Sequence, residues 1–334
     1  MRDRSVAWWL LLLLAAYPAV VTTLLVALPV VPPQNGPLAL AAVLAMHLAL
    51  AGLVLVPFAF HRDARPLRLA LIALAVLSAI RFGDEWISVP PAGATTPAAE
   101  ITVLSWNLEY GARPGEDAVE GLRGLDIEVV ALQELSPNHA SAIQTDADLR
   151  LRFPYRELVP AEGVFGMGLL SAYPILRAEL SDDPMAIEAV LDVRGTQVTV
   201  ITAHPLPGRI RTLGPVPIGF DPASRDAALS RFRTRVDAAI ARDETVIVVG
   251  DFNVAPTEPA YAPLVEGLAD AHAEVGIGPG WTWRPSRFEA LGVGLLRIDL
   301  ALSGPGATPA QVGERCNLPG DHCQLEATFA ITGR

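Results

Sequence analysis

The stretch Val246-Ile247-Val248-Val249-Gly250-Asp251-Phe252-Asn253 decides how this 334-residue chain reads. Four apolar residues in a row, all β-branched, are too few for an ordinary helix and suit a strand buried on both faces. A glycine closes the run, and a carboxylate and an amide follow at once. Working outward, other short apolar runs end in the same way. Residues 101–105 lead to Asn107, 127–132 to Glu134, and 198–203 to His204, while Asp299 stands inside the run 298–302. Asp321-His322 precedes a last apolar stretch. Carboxylates, amides and imidazoles at the ends of rigid strands are what a preorganised hydrolytic site needs.

Helical sequence separates some of these runs. Residues 224–241 give the clearest pattern, with Asp221 placed to cap, Pro222 in the first turn, and Leu229, Phe232, Val236 and Ile240 on one face. Strands interleaved with helices predict an α/β or α+β domain over residues 100–334. Each polar residue taken singly is weak evidence, since a lone Glu behind a strand is more often a surface residue or a helix cap. Their order carries more. Trp106-Asn107-Leu108, Leu132-Gln133-Glu134, the run Gly166-Met167-Gly168-Leu169-Leu170-Ser171-Ala172-Tyr173-Pro174-Ile175, Thr202-Ala203-His204-Pro205, Gly250-Asp251-Phe252-Asn253, Arg297-Ile298-Asp299 and Gly320-Asp321-His322 follow one another along the chain. That series resembles the endonuclease/exonuclease/phosphatase superfamily over nearly all of residues 101–332.

The resemblance implies an α+β fold, a four-layer αββα sandwich of the DNase I-like kind, with the site between the upper edges of two mixed sheets. It implies a metal-dependent phosphoric ester hydrolase acting on a phosphodiester or phosphomonoester. Relatives include DNase I-like nucleases, abasic-site endonucleases, neutral sphingomyelinases and inositol-polyphosphate 5-phosphatases. Residue by residue, Glu134 resembles the principal metal ligand, with Asn107 beside it and Asp321 as a further candidate. Oxygen donors suit Mg²⁺, or Mn²⁺, and not zinc. His322 matches the general base for the attacking water, and Asp299 the carboxylate that orients its imidazole. His204 resembles the donor to the phosphate or leaving oxygen, while Asp251 and Asn253 resemble the pair that positions nucleophile and transition-state oxygens. In-line displacement at phosphorus needs these groups to converge, because charge builds on the phosphoryl oxygens as water is deprotonated opposite the leaving group.

The family often has Ser before Asp-His, where this chain has Gly320. Arg209 and Arg211, in a proline-rich segment read as a loop after His204, are candidates for contact with a substrate phosphate, or equally solvated charges. His139 and His272 read as solvated side chains. The only cysteines, Cys316 and Cys323, bracket Asp321-His322, and an oxidising compartment lets them close that loop.

The first 89 residues need a separate account. The chain is 51% hydrophobic with mean hydropathy +0.37, and the excess lies before Pro90. Residues 6–31 and 38–60 carry no charge, and 67–89 carries Arg68 near its start and Arg81, Asp84 and Glu85 toward its end. Each stretch is long enough for about 30 Å of hydrocarbon. Residues 1–89 therefore read as a membrane anchor of three transmembrane helices, and 90–99, rich in Pro, Ala, Gly and Thr, as a linker. A cleaved signal peptide is disfavoured by the length of the first run. His47, the ionisable group of the second span, reads as a neutral imidazole bonded to a neighbouring helix.

Arginines fix the expected orientation. Arg2 and Arg4 precede the first span, and Arg62, Arg65 and Arg68 follow the second, while residues 32–37 hold none. The positive-inside rule then puts the N-terminus in the cytoplasm and the catalytic domain on the extracytoplasmic side. From residue 100 onward 19 Arg oppose 32 Asp and Glu, a net of 19 − 32 = −13. Such a balance argues against tight binding to long nucleic acid. Expected partners are the bilayer and a phosphate-ester substrate: nucleic acid, a phospholipid headgroup or a small ester. No protein partner is expected. The rival readings are an extracellular nuclease and an anchored, non-catalytic scaffold of the same fold.

Overall fold

A computed structural model describes residues 6–88, 99–183 and 185–332. Arg2, Arg4 and all of the expected linker except Ala99 lie outside the described residues. The chain forms two compact units, one of Met1–Asp84, Gly208–Ala223 and Thr257–Pro259, the other of Glu85–Pro207, Ser224–Pro256 and Ala260–Arg334.

The larger unit is a pair of mixed six-stranded sheets. Its strands are β1 (Ala99–Asn107), β2 (Val129–Gln133), β3 (Tyr155–Val159), β4 (Met167–Ser171), β5 (Ile175–Asp182), β6 (Met185–Val193) and β7 (Thr196–Ala203). After a separate hairpin, β8 (Arg209–Leu213) and β9 (Val216–Asp221), come β10 (Thr245–Asp251), β11 (Ala269–Asp270), β12 (Asp299–Ser303), β13 (Ala307–Arg315) and β14 (Gln324–Ile331). One sheet runs β13-β14-β1-β2-β4-β3, and the other β11-β12-β10-β7-β6-β5.

Period-two burial explains the layers. Ile247 and Val249 of β10 join Val103 of β1, Ala131 of β2 and Val200 of β7 in the core between the sheets. The alternate residues Val246 and Val248 face the other way, into a second core with Leu229, Phe232 and Val236. A strand covered on both sides must be apolar throughout, which is why the run 246–249 has no polar break. Those three partners line the helix Ala223–Ala241. On the opposite face Leu104, Trp106, Val130 and Leu132 pack under Val119, Leu122, Ile143 and Leu149. The result is the expected four-layer αββα sandwich.

In chain order the helices are α1 (Val6–Val30), α2 (Gly36–Val43), α3 (Ala45–Ala51), α4 (Arg65–Trp86), α5 (Gly115–Leu122), α6 (Pro137–Thr145), α7 (Ala147–Arg152) and α8 (Ala223–Ala241). The Ser136 hydroxyl accepts from the His139 N–H at 3.1 Å to cap α6, and Asp146 accepts from the Leu149 N–H at 2.9 Å to cap α7. Asp221 accepts the Ala223 N–H at 3.3 Å at the start of α8, and Phe232 on its inner face is fully buried. Burying such a ring contributes about 1.5–3 kcal/mol.

In the smaller unit, α1 and residues Arg65–Gly83 of α4 are long and apolar enough to cross a membrane. Thr22 and Thr23 donate back to the carbonyls of Pro18 and Ala19 at 2.7 and 2.9 Å, which satisfies their hydroxyls within the helix. The Tyr17 hydroxyl donates to the Leu48 carbonyl at 2.7 Å, joining α1 to α3. The apolar run expected as the second span, 38–60, is not one straight helix. It is a bent pair, α2 against Ala45–Phe60 at 73°, with Gly52–Phe60 wound as a 3₁₀ helix. Leu44 leaves helical geometry at φ −94° and ψ 12°, and a uniformly apolar run carries no pattern that marks such a break. A Cβ at Gly52 would lie 2.8 Å from Leu74 Cδ2 of α4, so the glycine permits close helix approach. His47 lies on α3, half-buried.

The segment after His204, expected to be a loop, is the hairpin β8–β9. It forms a two-stranded sheet of its own in the smaller unit. Phe220 bridges to Gly36 at the start of α2, and a Cβ at Gly219 would stand 3.2 Å from the Gly36 carbonyl carbon.

Candidate active site

Sheet register brings the polar strand ends together. β1 and β2 run parallel with Asn107 opposite Gln133, so Asn107 and Glu134 leave neighbouring strands at the same level. β7 and β10 are also parallel, with Ala203 opposite Gly250, so His204 and Asp251 leave side by side. Antiparallel β12 places Asp299 directly opposite Asp251. A Cβ on Gly250 would lie 2.2 Å from the Ala203 carbonyl oxygen at φ +153°, and glycine alone fits between the strands there. Between the sheets, Gln133 Nε2 donates to Thr202 Oγ1 at 3.2 Å, a buried polar tie just beneath the site.

At the centre, His322 Nδ1 and Asp299 Oδ2 are 2.9 Å apart, and His322 Nε2 lies 3.6 Å from Asp251 Oδ2. Burial disfavours the imidazolium, yet Asp299 and Asp251 outweigh it and raise the His322 pKa to about 10. Asp251 shifts upward, first through burial and then through Asp299. Its Oδ2 also accepts from Asn107 Nδ2 at 3.1 Å and lies 3.5 Å from His204 Nε2, while Oδ1 accepts the Asn253 N–H at 3.0 Å. His204 Nδ1 is 3.2 Å from the Val164 carbonyl, which turns Nε2 toward Asp251 and Glu134 Oε1, the latter at 3.7 Å. Asn253 Nδ2 donates to the Pro205 carbonyl at 3.1 Å, and the buried Arg225 donates to the Asn253 carbonyl at 2.7 Å. Glu134 and Asn253 both hold positive φ, 53° and 52°, a strained conformation that clusters at functional sites.

The donor set fits a hard divalent cation. Asp321 Oδ1 is buried with no hydrogen-bond partner, and its carboxyl is pushed up to about 6, first by burial and then by Glu109 and Glu134. Acids gathered this way are an unfavourable arrangement that a cation relieves. Asp251, Asp299 and His322 also offer ligand atoms within 4.8 Å of one another. In that trio His322 Nδ1 and Asp299 Oδ2 already bond each other, which suits a proton-handling group better than a metal cage. Asn107 turns its amide nitrogen to Glu134 Oε1, at 3.0 Å, because its oxygen accepts the Glu109 N–H at 3.0 Å.

Several supporting residues were not singled out in the sequence. Glu109, at φ 50°, accepts the Asp321 N–H at 3.1 Å and the Ser286 hydroxyl at 2.8 Å. Gly320 has φ +124°, so the missing serine is the consequence of a backbone that side chains rarely adopt. Behind the turn, the Arg284 N–H donates to the Asp321 carbonyl at 2.8 Å, and the Cys323 N–H to the Thr282 carbonyl at 2.7 Å. The fully buried Arg284 guanidinium donates to the carbonyls of Cys316 and Leu318 at 3.2 and 3.1 Å. Cys316 and Cys323 are disulfide-bonded. Arg284 gave no sequence signal, since a buried arginine bonded to carbonyls and to the Cys323 sulfur has no spacing rule.

Two readings are corrected. His139 and His272 are buried, not solvated. Burial lowers the His139 pKa, and it packs beside Trp106 and Arg113. For His272 burial is outweighed by the bond to Glu314, 3.2 Å from Nδ1, and its pKa rises. Their polar sequence neighbours had suggested exposure. Arg209 and Arg211 lie exposed on β8, which belongs to the smaller unit.

The sandwich is shared with solved structures. D. rerio TDP2 complexed with single strand DNA product is 18% identical with TM-score 0.54, covering 69% of this chain and 99% of its own. The 3′ phosphatase NExo from Neisseria, bound to product DNA hairpin, is 18% identical with TM-score 0.54, covering 68% and 98%. Sphingomyelinase C from Streptomyces griseocarneus is 19% identical with TM-score 0.50, covering 69% and 99%. At such identities the likeness is one of fold. No curated protein matches in sequence. Residues 104–322, which hold every polar strand end from Asn107 to His322, match the model of the Endonuclease/Exonuclease/phosphatase family, and the chain belongs to that family.

Proposed function

We propose that this protein is a membrane-anchored, divalent-metal-dependent phosphoesterase whose catalytic domain, residues 100–334, works on the extracytoplasmic side of an anchor formed by residues 1–89. The observation that carries the chemistry is the buried His322–Asp299 pair facing Asp251, with His204 on the far side of the same carboxylate.

His322 Nε2 is the base in the enzyme that holds it neutral, a fraction that grows with pH because Asp299 and Asp251 favour the imidazolium. Asp299 holds Nδ1–H, fixes the tautomer and stabilises the imidazolium that forms when water gives up its proton. Asp251 accepts from that water or from Nε2, and its Oδ1 orients the Asn253 backbone. Asn253 and His204 Nε2 donate to phosphoryl or leaving oxygens, where charge grows. Glu134 and Asp321, with Asn107 once its amide is turned, hold the cation, and Mg²⁺ or Mn²⁺ suits these oxygens. When bound, the cation neutralises charge on the phosphate.

Two observations support the orientation. The disulfide beside His322 suits an oxidising compartment. Phe220, carried by the hairpin β8–β9, pairs with Gly36 at the start of α2, which agrees with that hairpin and the end of the first span lying on one side of the membrane. Three spans, with the bent pair counted as one, agree with this reading.

The substrate proposed is a phospholipid headgroup or a small phosphate ester, supported by the anchor and the net −13 of the domain. Nuclease activity is the second reading, favoured by the DNA products held by D. rerio TDP2 and NExo. Hydrolysis of a chromogenic phosphodiester by the full chain with Mg²⁺ tests the proposal. Activity is expected to vanish on chelation and with His322→Ala; equal rates in all three preparations leave the non-catalytic scaffold. A panel of plasmid DNA, sphingomyelin and inositol phosphates separates the substrate classes.

A further inference from the structure

The hairpin β8–β9 puts large apolar side chains in the open. Leu213 is 72% exposed, Val216 56%, Ile210 55% and Ile218 42%. Every residue of β8 is exposed, and so are the first three of β9. A two-stranded hairpin is at best marginal in water, and clustered exposed apolar residues mark an interaction surface. Its charge also departs from its surroundings. Between His204 and Asp221 there are two arginines, Arg209 and Arg211, and no acid, within a domain of net −13.

Its attachment identifies what covers it. Phe220 and Gly219 rest on Gly36, six residues beyond the last residue of α1 and at the start of α2. If α1 crosses the bilayer, Gly36 sits where that span meets water, at headgroup level. The hairpin belongs to the same compact unit as the spans, and its base, at Gly219 and Phe220, is the part that rests on Gly36. Apolar residues interleaved with arginines are the composition of elements that lie in the interface, with side chains among the upper acyl carbons and guanidinium groups on lipid phosphates.

We infer that residues 209–221 form an interfacial hairpin, with Leu213 and Val216 at its tip entering the headgroup–acyl boundary and Arg209 and Arg211 binding phospholipid phosphates. This inference rests on the membrane-anchored reading above. It gives the arginines a lipid role in place of the substrate contact considered from sequence.

The test uses the full chain in phosphatidylcholine/phosphatidylglycerol nanodiscs. Leu213→Cys, and separately Val216→Cys, is labelled with an environment-sensitive fluorophore, the native cysteines being paired; Leu151→Cys, at an 82% exposed position of the larger unit, is the aqueous control. The expected result at either tip position is blue-shifted emission, quenched by lipids spin-labelled high on the acyl chain and protected from iodide. Iodide quenching equal to that at Leu151 overturns the inference. Protection from both quenchers overturns it too, in favour of a protein partner or second copy. If alkaline carbonate extracts the chain from membranes, the anchored reading itself fails and takes the hairpin with it; retention with an iodide-accessible tip defeats the hairpin alone.

Discussion

Strands β10 and β8 are of similar length and opposite circumstance. All seven residues of β10 are buried, whereas all five of β8 are exposed. Both carry branched apolar side chains. In β10 these fill two cores, and the rigidity gained is spent on one carboxylate, Asp251, at the strand's end. In β8 the same kinds of side chain stand exposed, and two arginines alternate with them. Apolar residues therefore do two jobs here: inside the sandwich they fix the geometry of chemistry, and on the hairpin they need a second solvent.

The largest expected contrast is catalytic. His322→Ala should lower turnover of a chromogenic phosphodiester about 10²–10⁴-fold, the range for losing a general base. Leu213→Ser should stay within about twofold of the parent on this soluble substrate. Steady-state rates at saturating Mg²⁺ check both. A comparable loss at Leu213 would dissolve the distinction between the two strands.

Stability should divide the same way. Phe232 is fully buried against Val246 and Val248 of β10, so Phe232→Ala should cost about 3–5 kcal/mol. Ile210→Ala, on the hairpin, should fall within about 0.5 kcal/mol in detergent. Urea unfolding of the larger unit, followed by tryptophan emission, measures the two. The catalytic turn stands between these extremes. Its disulfide joins residues seven apart, and closing so short a loop contributes about 2.5 kcal/mol in the chain-entropy picture. Reduction should therefore lower stability by that order, and a negligible change would mean that Arg284 and Glu109 alone hold the turn.

The sandwich was legible because burial on both faces of a strand writes itself as an unbroken apolar run, and because the ordered motifs from Asn107 to His322 lie at strand ends. All eight catalytic and metal candidates fall in the larger unit, on or next to the strand ends described. What escaped has a common cause. Glu109 and Arg284 hold the catalytic turn through bonds to backbone groups, which leave no periodic trace. His139 and His272 sit in polar sequence yet are buried, because helix caps and a partner carboxylate from β13 satisfy their surroundings. The bend near Leu44 and the hairpin after His204 were hidden for the opposite reason: where every residue is apolar, or every third is proline or glycine, pattern carries no boundary.

The smallest and sharpest test concerns Asp321, where function and stability pull apart. Its folded pKa of about 6 lies above the ordinary 3.8, chiefly through burial, with Glu109 and Glu134 adding to it. The unfolded chain gives up this proton first, so the folded state loses stability as pH rises from about 4 through about 6, and the loss is complete above that. Asp321→Asn removes the titration. Without cation, the variant should match the parent near pH 4 and exceed it near pH 7.5 by an amount on the order of 2 kcal/mol, the shift being discounted for the solvent this side chain still sees. Added Mg²⁺ should close the gap by stabilising only the parent, since an amide is a poorer partner for the cation. Unfolding curves at the two pH values, with chelator and then with Mg²⁺, decide it. A gap of equal size at both pH values would mean that the substitution acts through packing, and Asp321 would lose its place among the groups that hold the metal.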